Sequence, residues 1–499
     1  MYKETSLEEV DAILAKAGQA YRELKRYSIR QRAAFMRAVA VEIEALGNEL
    51  IKTAMNESHL TEARLTGERA RTILQWNSYA NYAELGNWLD VRIDMPFLSP
   101  STKPDIRKIS VALGPVAVFG AGNFPFAFST AGGDTACAIA AGCPVVVKAH
   151  PGHPQTCALM AQAIEKARVK CRMPEGIFAQ VYGAGIEIGQ VLVKHPGIKA
   201  VAFTGSYQGG KALTEMAAQR SEPIPVFAEM GSINPVFLLP EKLKKDGNEV
   251  AGQFITSVTL GVGQFCTNPG LMIGIAGEEL NSFTAALEKL AHDAPPATML
   301  HPGIAANYEK TREKALRQQE VEVLAQSGIE AAENQGGITL AKVSAHTFTA
   351  NPALQEEVFG PYSLLVVCQN ADEMLAVANA IKGQLTATLI ATGADLEANR
   401  ELYEVIQERC GRIVVNQFPT GVEVCLAMHH GGPYPATSNS AFTSVGADGI
   451  KRFTRPLSFQ NWPNQYLPAE LQNENPLEVW RTINNELTLE AINLTVTSL

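Results

Sequence analysis

From Ser6 to about residue 90, apolar residues recur at the three-to-four spacing of amphipathic helices, clearest in VDAILAKA and FMRAVAVEIEALGNELI. Ser6 and Glu9 have the S-x-x-E spacing of a capping box, which predicts the start of the first helix. A Pro-rich connector, MPFLSPSTKPD, follows, and from Gly114 the period changes. Short β-rich apolar runs appear: VAVFG (116–120), VVVKA (145–149), IFAQVY (177–182), AVAFTG (200–205) and IPVFAE (224–229). Helical stretches such as HPQTCALMAQAIEKARV separate them. Repeated β-α units of this spacing predict an α/β fold with a parallel, doubly wound sheet, whose ligands bind beyond the C-terminal ends of the strands. At that end each run passes into a polar or Gly-rich segment: GAGNFP, KAHPGHP, YGAG, TGSYQGGK and EMGS.

A second α/β set is predicted after residue 266. Its strands are LMIGIAG (271–277), YSLLVV (362–367), TATLIA (386–391) and RIVVN (412–416), with helices such as DEMLAVANAIKG and LEANRELYEVIQERC between them. Beyond 430 the chain reads as loop and then as a polar tail. At 499 residues, two or three domains are expected.

Composition narrows the function classes. With 42 Lys+Arg against 51 Asp+Glu the net charge is −9, which argues against non-specific binding to nucleic acid or to a membrane surface. The first residues lack the apolar core of a signal peptide, and no apolar run is long enough to span a membrane. The eight cysteines contain no C-x-x-C pair, so no metal cluster is indicated, and reduced thiols in a cytoplasmic enzyme fit best.

Three Gly-rich segments carry candidate chemistry. GAGNFP (120–125) and GVGQFC (261–266) each begin like a dinucleotide fingerprint but lack its last glycine, and each alone reads as a turn. In GSYQGGK, Gly205, Gly210 and Lys211 match the G-x-x-x-x-G-K of a phosphate-binding loop. Ala212 stands where a hydroxyl should hold Mg²⁺, so a P-loop-like nucleotide-binding protein is only a remote alternative. Backbone N–H groups at that helix start still suit a pyrophosphate. Cys266, in the polar turn GQFCTNPG, differs from the other cysteines, which lie mostly in apolar contexts that suit packing.

The ordered set FGAGNFPFAFS, VVVKAHPGHP, FTGSYQGG, VFAEMGSINP, GQFCTNPG and EEVFGPY resembles the aldehyde dehydrogenase superfamily over residues 5 to about 460. PVAVFGAGNFPFAFSTAGGDT, KAHPGHP and FPTGVEV look most like its bacterial NADP-preferring branch, which includes dehydrogenases of α-ketoglutaric semialdehyde and of fatty aldehydes. The resemblance implies a Rossmann-type NAD(P)-binding domain from 1–96 and 114–230 and a catalytic domain over 231–430. It assigns 97–113 and 431–499 to an oligomerisation arm and C-terminal tail, in a homodimer or homotetramer. It makes Cys266 the nucleophile, Asn123 the oxyanion donor and Glu229 the base that activates water. The chemistry agrees: a thiolate adds to the aldehyde, donors hold the alkoxide, and after hydride loss a base hydrolyses the thioester. A glutamate at 229 favours hydrolysis to the free acid over transfer to coenzyme A.

For the cofactor, the resemblance points to Lys148 at the adenosine ribose, to Ser206 with Gly205 and Gly210 at the pyrophosphate, and to Glu357 and Phe359 at the nicotinamide ribose and ring. NAD-preferring members usually carry a carboxylate three residues after the lysine; here that residue is Pro151. The expected cofactor is therefore NADP, with NAD as the second choice, and His150 or His153 is a candidate for the 2′-phosphate. The expected substrate is a small-molecule aldehyde, α-ketoglutaric semialdehyde first and fatty or other aliphatic or aromatic aldehydes second.

Overall fold

The computed structural model describes residues 3–96 and 103–492. The chain opens with helices Leu7–Leu24, Ile29–Ala45, Gly47–Ser58 and Glu62–Leu85. The capping box forms: Ser6 Oγ accepts from Glu9 N at 3.2 Å, and Ser6 N donates to Glu9 Oε2 at 2.7 Å. Phe35, Met36, Trp76 and Tyr79 of these helices are fully buried in one core with Val116, Val118 and Val145 of the first sheet.

That sheet is parallel and five-stranded, in the order Phe178–Val181, Val145–Lys148, Val116–Phe119, Ala200–Thr204, Val226–Glu229. Chain order runs outward in both directions from Val116–Phe119. The switch point thus lies between that strand and Ala200–Thr204, where an open sheet of this kind binds its ligand. The GAGNFP and GSYQGG segments leave these two strands and so flank the crevice.

The second sheet has seven strands, in the order Glu322–Gln326, Thr339–Ser344, Tyr362–Cys368, Leu271–Ile275, Pro235–Leu238, Gln384–Ile390, Cys410–Val415. It is parallel except for Glu322–Gln326 at its edge. Pro235–Leu238, Thr339–Ser344 and Glu322–Gln326 are strands that the hydrophobic pattern does not predict. Pro235 opens its strand, a position where a missing N–H is tolerated. The edge strand EVLAQ is half-exposed or exposed throughout and does not alternate apolar with polar residues.

A third sheet joins Ile106–Ala112 and Thr454–Gln460, antiparallel from Ile106–Gln460 to Ala112–Thr454, with Arg92–Asp94, Arg481–Ile483 and Glu486–Thr488. Two segments lie elsewhere than expected. Arg92–Asp94 is a strand of this third sheet, although Ile93 is buried in the first core. Ala447–Phe453 packs into the first core instead of an arm, because Ile450 and Phe453 are apolar and fully buried there. Part of the expected arm, 97–102, and the last residues, 493–499, lie outside the described residues. Among the described residues no helix is long and apolar enough to cross a membrane.

Candidate active site

The Cys266 turn is built from strained backbone and fixed by buried amides. Helix Pro240–Thr259 leads into Leu260–Gly263, where Gly261, Val262 and Gly263 take φ of 54°, 57° and 65°. A Cβ on Gly263 would lie 2.4 Å from the backbone of Gly360, so no side chain fits. Asn234, itself at φ 46°, donates from Nδ2 to the carbonyls of Cys266 and Asn268, each at 2.9 Å. Gln384 Oε1 in turn accepts from the N–H groups of Ile233 (2.8 Å) and Asn234 (3.1 Å). The turn is thereby tied to the segment that follows Glu229.

Glu229 ends strand Val226–Glu229 and is buried. Its Oε1 lies 3.0 Å from His430 Nε2, and Ser444 Oγ donates to Oε2. His430 Nε2 lies 3.5 Å from Cys266 Sγ. Burial raises the Glu229 pKa, but the His430 charge and the hydrogen bonds of His430, Ser444 and Cys266 outweigh it, and the net shift is downward. The Cys266 thiol goes the other way. Burial pushes it well above its usual value, the carboxylates of Glu229 and Glu357 add to the rise, and Arg71 opposes it. The resting sulfur is therefore a thiol, with a carboxylate and an imidazole at hand to take its proton.

The sequence indicated no metal cluster, yet Glu229, Cys266 and His430 bring one ligand atom each within 4.8 Å of one another. His430 was not assigned a role from sequence. It sits in HHGGPYP, a loop without periodicity, and is fixed by Thr443, whose Oγ1 accepts from His430 N at 2.8 Å, and by Ser444, whose N donates to His430 O at 2.8 Å. Asn123 stands beside the turn and donates from Nδ2 to Gln264 O at 2.9 Å, which leaves its second amide proton free.

Phe124 and Phe265, next to Asn123 and Cys266, meet edge to face at 5.5 Å, and Phe124 meets Phe128 at 5.2 Å. These rings form an apolar wall beside the nucleophile. Arg64 of the Glu62–Leu85 helix lies 4.3 Å over Phe124, with its charge paired to Glu68 at 2.8 Å.

The expected cofactor residues gather at the ends of the first sheet. Lys148 ends its strand and donates from Nζ to Gly183 O at 2.8 Å. Ser206 caps helix Tyr207–Ala218 by accepting from Gly209 N at 3.2 Å, and a Cβ on Gly210 would lie 2.6 Å from Met230 Cγ. Lys211 pairs with Glu215 at 3.8 Å on the exposed side of that helix, which weakens its likeness to a P-loop lysine. Glu357, Phe359, Phe265, Ser232, Gly263 and Asn268 line one small cavity. Burial raises the Glu357 carboxyl to about 7. A Cβ on Gly231 would lie 2.3 Å from Glu357 Oε2, so the glycine makes room for that carboxyl.

The two candidate histidines pack on each other instead of presenting a charged pair. His153 is buried with Nε2 2.9 Å from Ser129 Oγ, and the His150 ring stacks on it at 4.9 Å. Burial and mutual repulsion keep His150 well below its usual pKa, and burial puts His153 at about 4, so both rings are neutral.

The aldehyde dehydrogenase family profile matches residues 2–456. The chain is 47% identical to α-ketoglutaric semialdehyde dehydrogenase 2 of Azospirillum brasilense, over 95% of this chain and 90% of that protein. It is 42% identical to the α-ketoglutaric semialdehyde dehydrogenase of Acinetobacter baylyi, over 98% and 93%. The NAD-dependent aldehyde dehydrogenase of Sinorhizobium meliloti superposes with a TM-score of 0.77 at 22% identity, covering 93% of this chain and 89% of that one. A glyceraldehyde-3-phosphate dehydrogenase of Methanocaldococcus jannaschii, solved with NADP, superposes at 0.76 with 20% identity, covering 92% and 95%.

Proposed function

The chain belongs to the aldehyde dehydrogenase family, NAD(P)-dependent oxidoreductases, and we propose that it oxidises α-ketoglutaric semialdehyde to 2-oxoglutarate through a thioester on Cys266. The observation that supports the mechanism is the meeting of Cys266, Glu229 and His430, with Asn123 bonded to Gln264 O two residues before the cysteine. The thiol proton passes to the Glu229–His430 pair as sulfur adds to the aldehyde carbon, giving a thiohemiacetal. The free amide proton of Asn123 holds the developing oxyanion. NAD(P) bound beside Cys266 would supply the hydride acceptor, and loss of hydride from the thiohemiacetal would leave a thioester on Cys266. Glu229 then takes a proton from the attacking water, and Cys266 leaves as the acid forms. Aldehyde, water and oxidised cofactor thus become carboxylate, reduced cofactor and two protons.

The residues fit the cofactor. Gly210 lets its helix pack closely on Met230, Gly231 makes room for the Glu357 carboxyl, and Ser206 caps the helix whose first N–H groups would face the pyrophosphate. Lys148 would hold the adenosine ribose and Glu357 the nicotinamide ribose, with Phe359 beside the ring. The third sheet, with Trp462, Trp480 and Leu487 exposed nearby, is proposed to join copies of the chain.

The substrate reading is tested with α-ketoglutaric semialdehyde, succinic semialdehyde, glutaraldehyde, pentanal and a long-chain aldehyde. The highest kcat/KM is expected for the first, and a clear preference for the long-chain aldehyde defeats the reading.

Two further outcomes concern the cofactor. Glu357 accepts both ribose hydroxyls best when ionised, since protonation turns one of its acceptor oxygens into a donor, and its pKa near 7 exceeds the usual carboxyl value. Cofactor affinity is therefore expected to rise as pH goes from 6 to 8, about tenfold at most over one pH unit, with release of a proton on binding. Glu357→Gln should flatten the profile in a fluorescence titration; a flat profile in the native enzyme contradicts the role. Pro151 removes a charge that would repel a 2′-phosphate, so NADP is proposed to exceed NAD in kcat/KM. Glu4 opposes this, since its Oε1 accepts from Ala184 N at 3.0 Å and its charge acts on Lys148. Glu4→Gln should raise the NADP/NAD ratio severalfold; a fall would exclude Glu4 from the adenosine site.

A further inference from the structure

Arg71 is a half-buried cation that the mechanism leaves unused. It lies on helix Glu62–Leu85 seven residues after Arg64, two turns further along the same face. Glu68 neutralises Arg64, whereas among the described residues no carboxylate lies within ion-pair distance of Arg71. One arm of its guanidinium is fixed: Nη2 donates to Val422 O at 3.0 Å, and the group lies 5.3 Å from the centre of the Phe128 ring. The other arm, Nη1, is shielded from water and has no partner. Its charge reaches Cys266, where it opposes the two carboxylates that raise the thiol.

Arg412 also acts on Cys266, but its two Nη atoms are spent on loop carbonyls, Gly421 O at 3.0 Å and Pro419 O at 2.7 Å. Both arginines thus grip the 419–422 loop, and only Arg71 has a terminal donor left over. Glu68 acts on Arg71 only at longer range, and a guanidinium edge shut off from water without a partner costs free energy unless an anion completes it. Glu229 and Glu357 flank the nucleophile, so a substrate carrying its own carboxylate needs a cation on the far side.

We propose that Arg71 reads the carboxylate at the far end of the aldehyde substrate, through the guanidinium edge that carries Nη1. The 419–422 loop, held by Val422 O on the other arm, forms the wall opposite the phenylalanines. Arg71 is then a specificity-determining residue, and it rests on the semialdehyde reading given above.

The test compares α-ketoglutaric semialdehyde with pentanal, an uncharged aldehyde of equal length, in the native enzyme, Arg71→Met and Arg71→Lys. In Arg71→Met, kcat/KM for the semialdehyde should fall about a hundredfold, chiefly through KM, while pentanal changes by less than about threefold. Competitive inhibition by 2-oxoglutarate should weaken in parallel. Equal losses on both aldehydes would make Arg71 a loop anchor and overturn the proposal, as would unchanged semialdehyde kinetics. If Arg71→Met does not fold, Arg71→Lys decides. It keeps the charge but loses the fork, and the semialdehyde/pentanal ratio should drop about tenfold; an unchanged ratio overturns the proposal. A native enzyme that prefers pentanal fails the substrate reading itself, before any variant is made.

Discussion

Cys266→Ala is expected to abolish aldehyde-dependent NAD(P)H formation, a loss of at least about four orders of magnitude, while cofactor binding survives. The size follows from the lack of a substitute. Burial holds the thiols of Cys137 and Cys368 at about 12, and those of Cys143 and Cys410 at about 11. None of them has a carboxylate and an imidazole beside it. Cys266 is no more acidic at rest, since burial, Glu229 and Glu357 hold it well above its usual value. Its distinction lies in the Glu229–His430 pair, one atom of which is 3.5 Å from the sulfur. Reactivity is thus generated when the proton moves, and a water-filled alanine site has no atom able to form the thiohemiacetal. The measurement is a single-turnover assay with NADP and α-ketoglutaric semialdehyde, beside a fluorescence titration of the cofactor. Reduced cofactor formed at more than a trace rate would show that hydride leaves without covalent capture, and would defeat the mechanism.

The first sheet was legible because each strand is a short apolar run closed by a Gly-rich turn. Its strands fall within a residue or two of the runs, as with Val116–Phe119 inside 116–120. Strands shaped by their neighbours were not. Thr339–Ser344 carries Lys342 in its middle and is fixed by pairing with Tyr362–Cys368. Thr454–Gln460 contains a proline and finds its partner more than 340 residues earlier, at Ile106–Ala112. The site divides in the same way. Cys266, Glu229 and Asn123 sit in distinctive turns whose order carries the resemblance. His430 and Arg71 have no such setting. The first lies in an aperiodic loop, and the second is one of three arginines within eight residues of one helix, Arg64, Arg69 and Arg71, with no motif around it. What makes them notable is what they touch, and that appears only when the 419–444 segment folds back over the crevice.

Glu229→Gln and His430→Gln separate the two halves of the reaction, because the pair is placed to serve both. Glu229→Gln keeps a hydrogen-bonding side chain of the same shape but cannot take a proton from water. Acylation should continue with His430 Nε2 as proton acceptor, and deacylation should slow by about 10²–10⁴. Stopped-flow mixing should then show a burst of NAD(P)H near one equivalent per site, followed by a slow steady state with no isotope effect from deuterated aldehyde. His430→Gln removes the imidazole 3.5 Å from the sulfur and leaves Glu229 without the ring 3.0 Å from its Oε1. Thiol deprotonation is expected to become limiting, so turnover falls by about 10² or more and the burst disappears. A burst in His430→Gln equal to that of Glu229→Gln would place the histidine in deacylation alone, as the support of Glu229. Unchanged turnover in Glu229→Gln would mean that His430 itself activates the water, and the roles of the two residues would have to be exchanged.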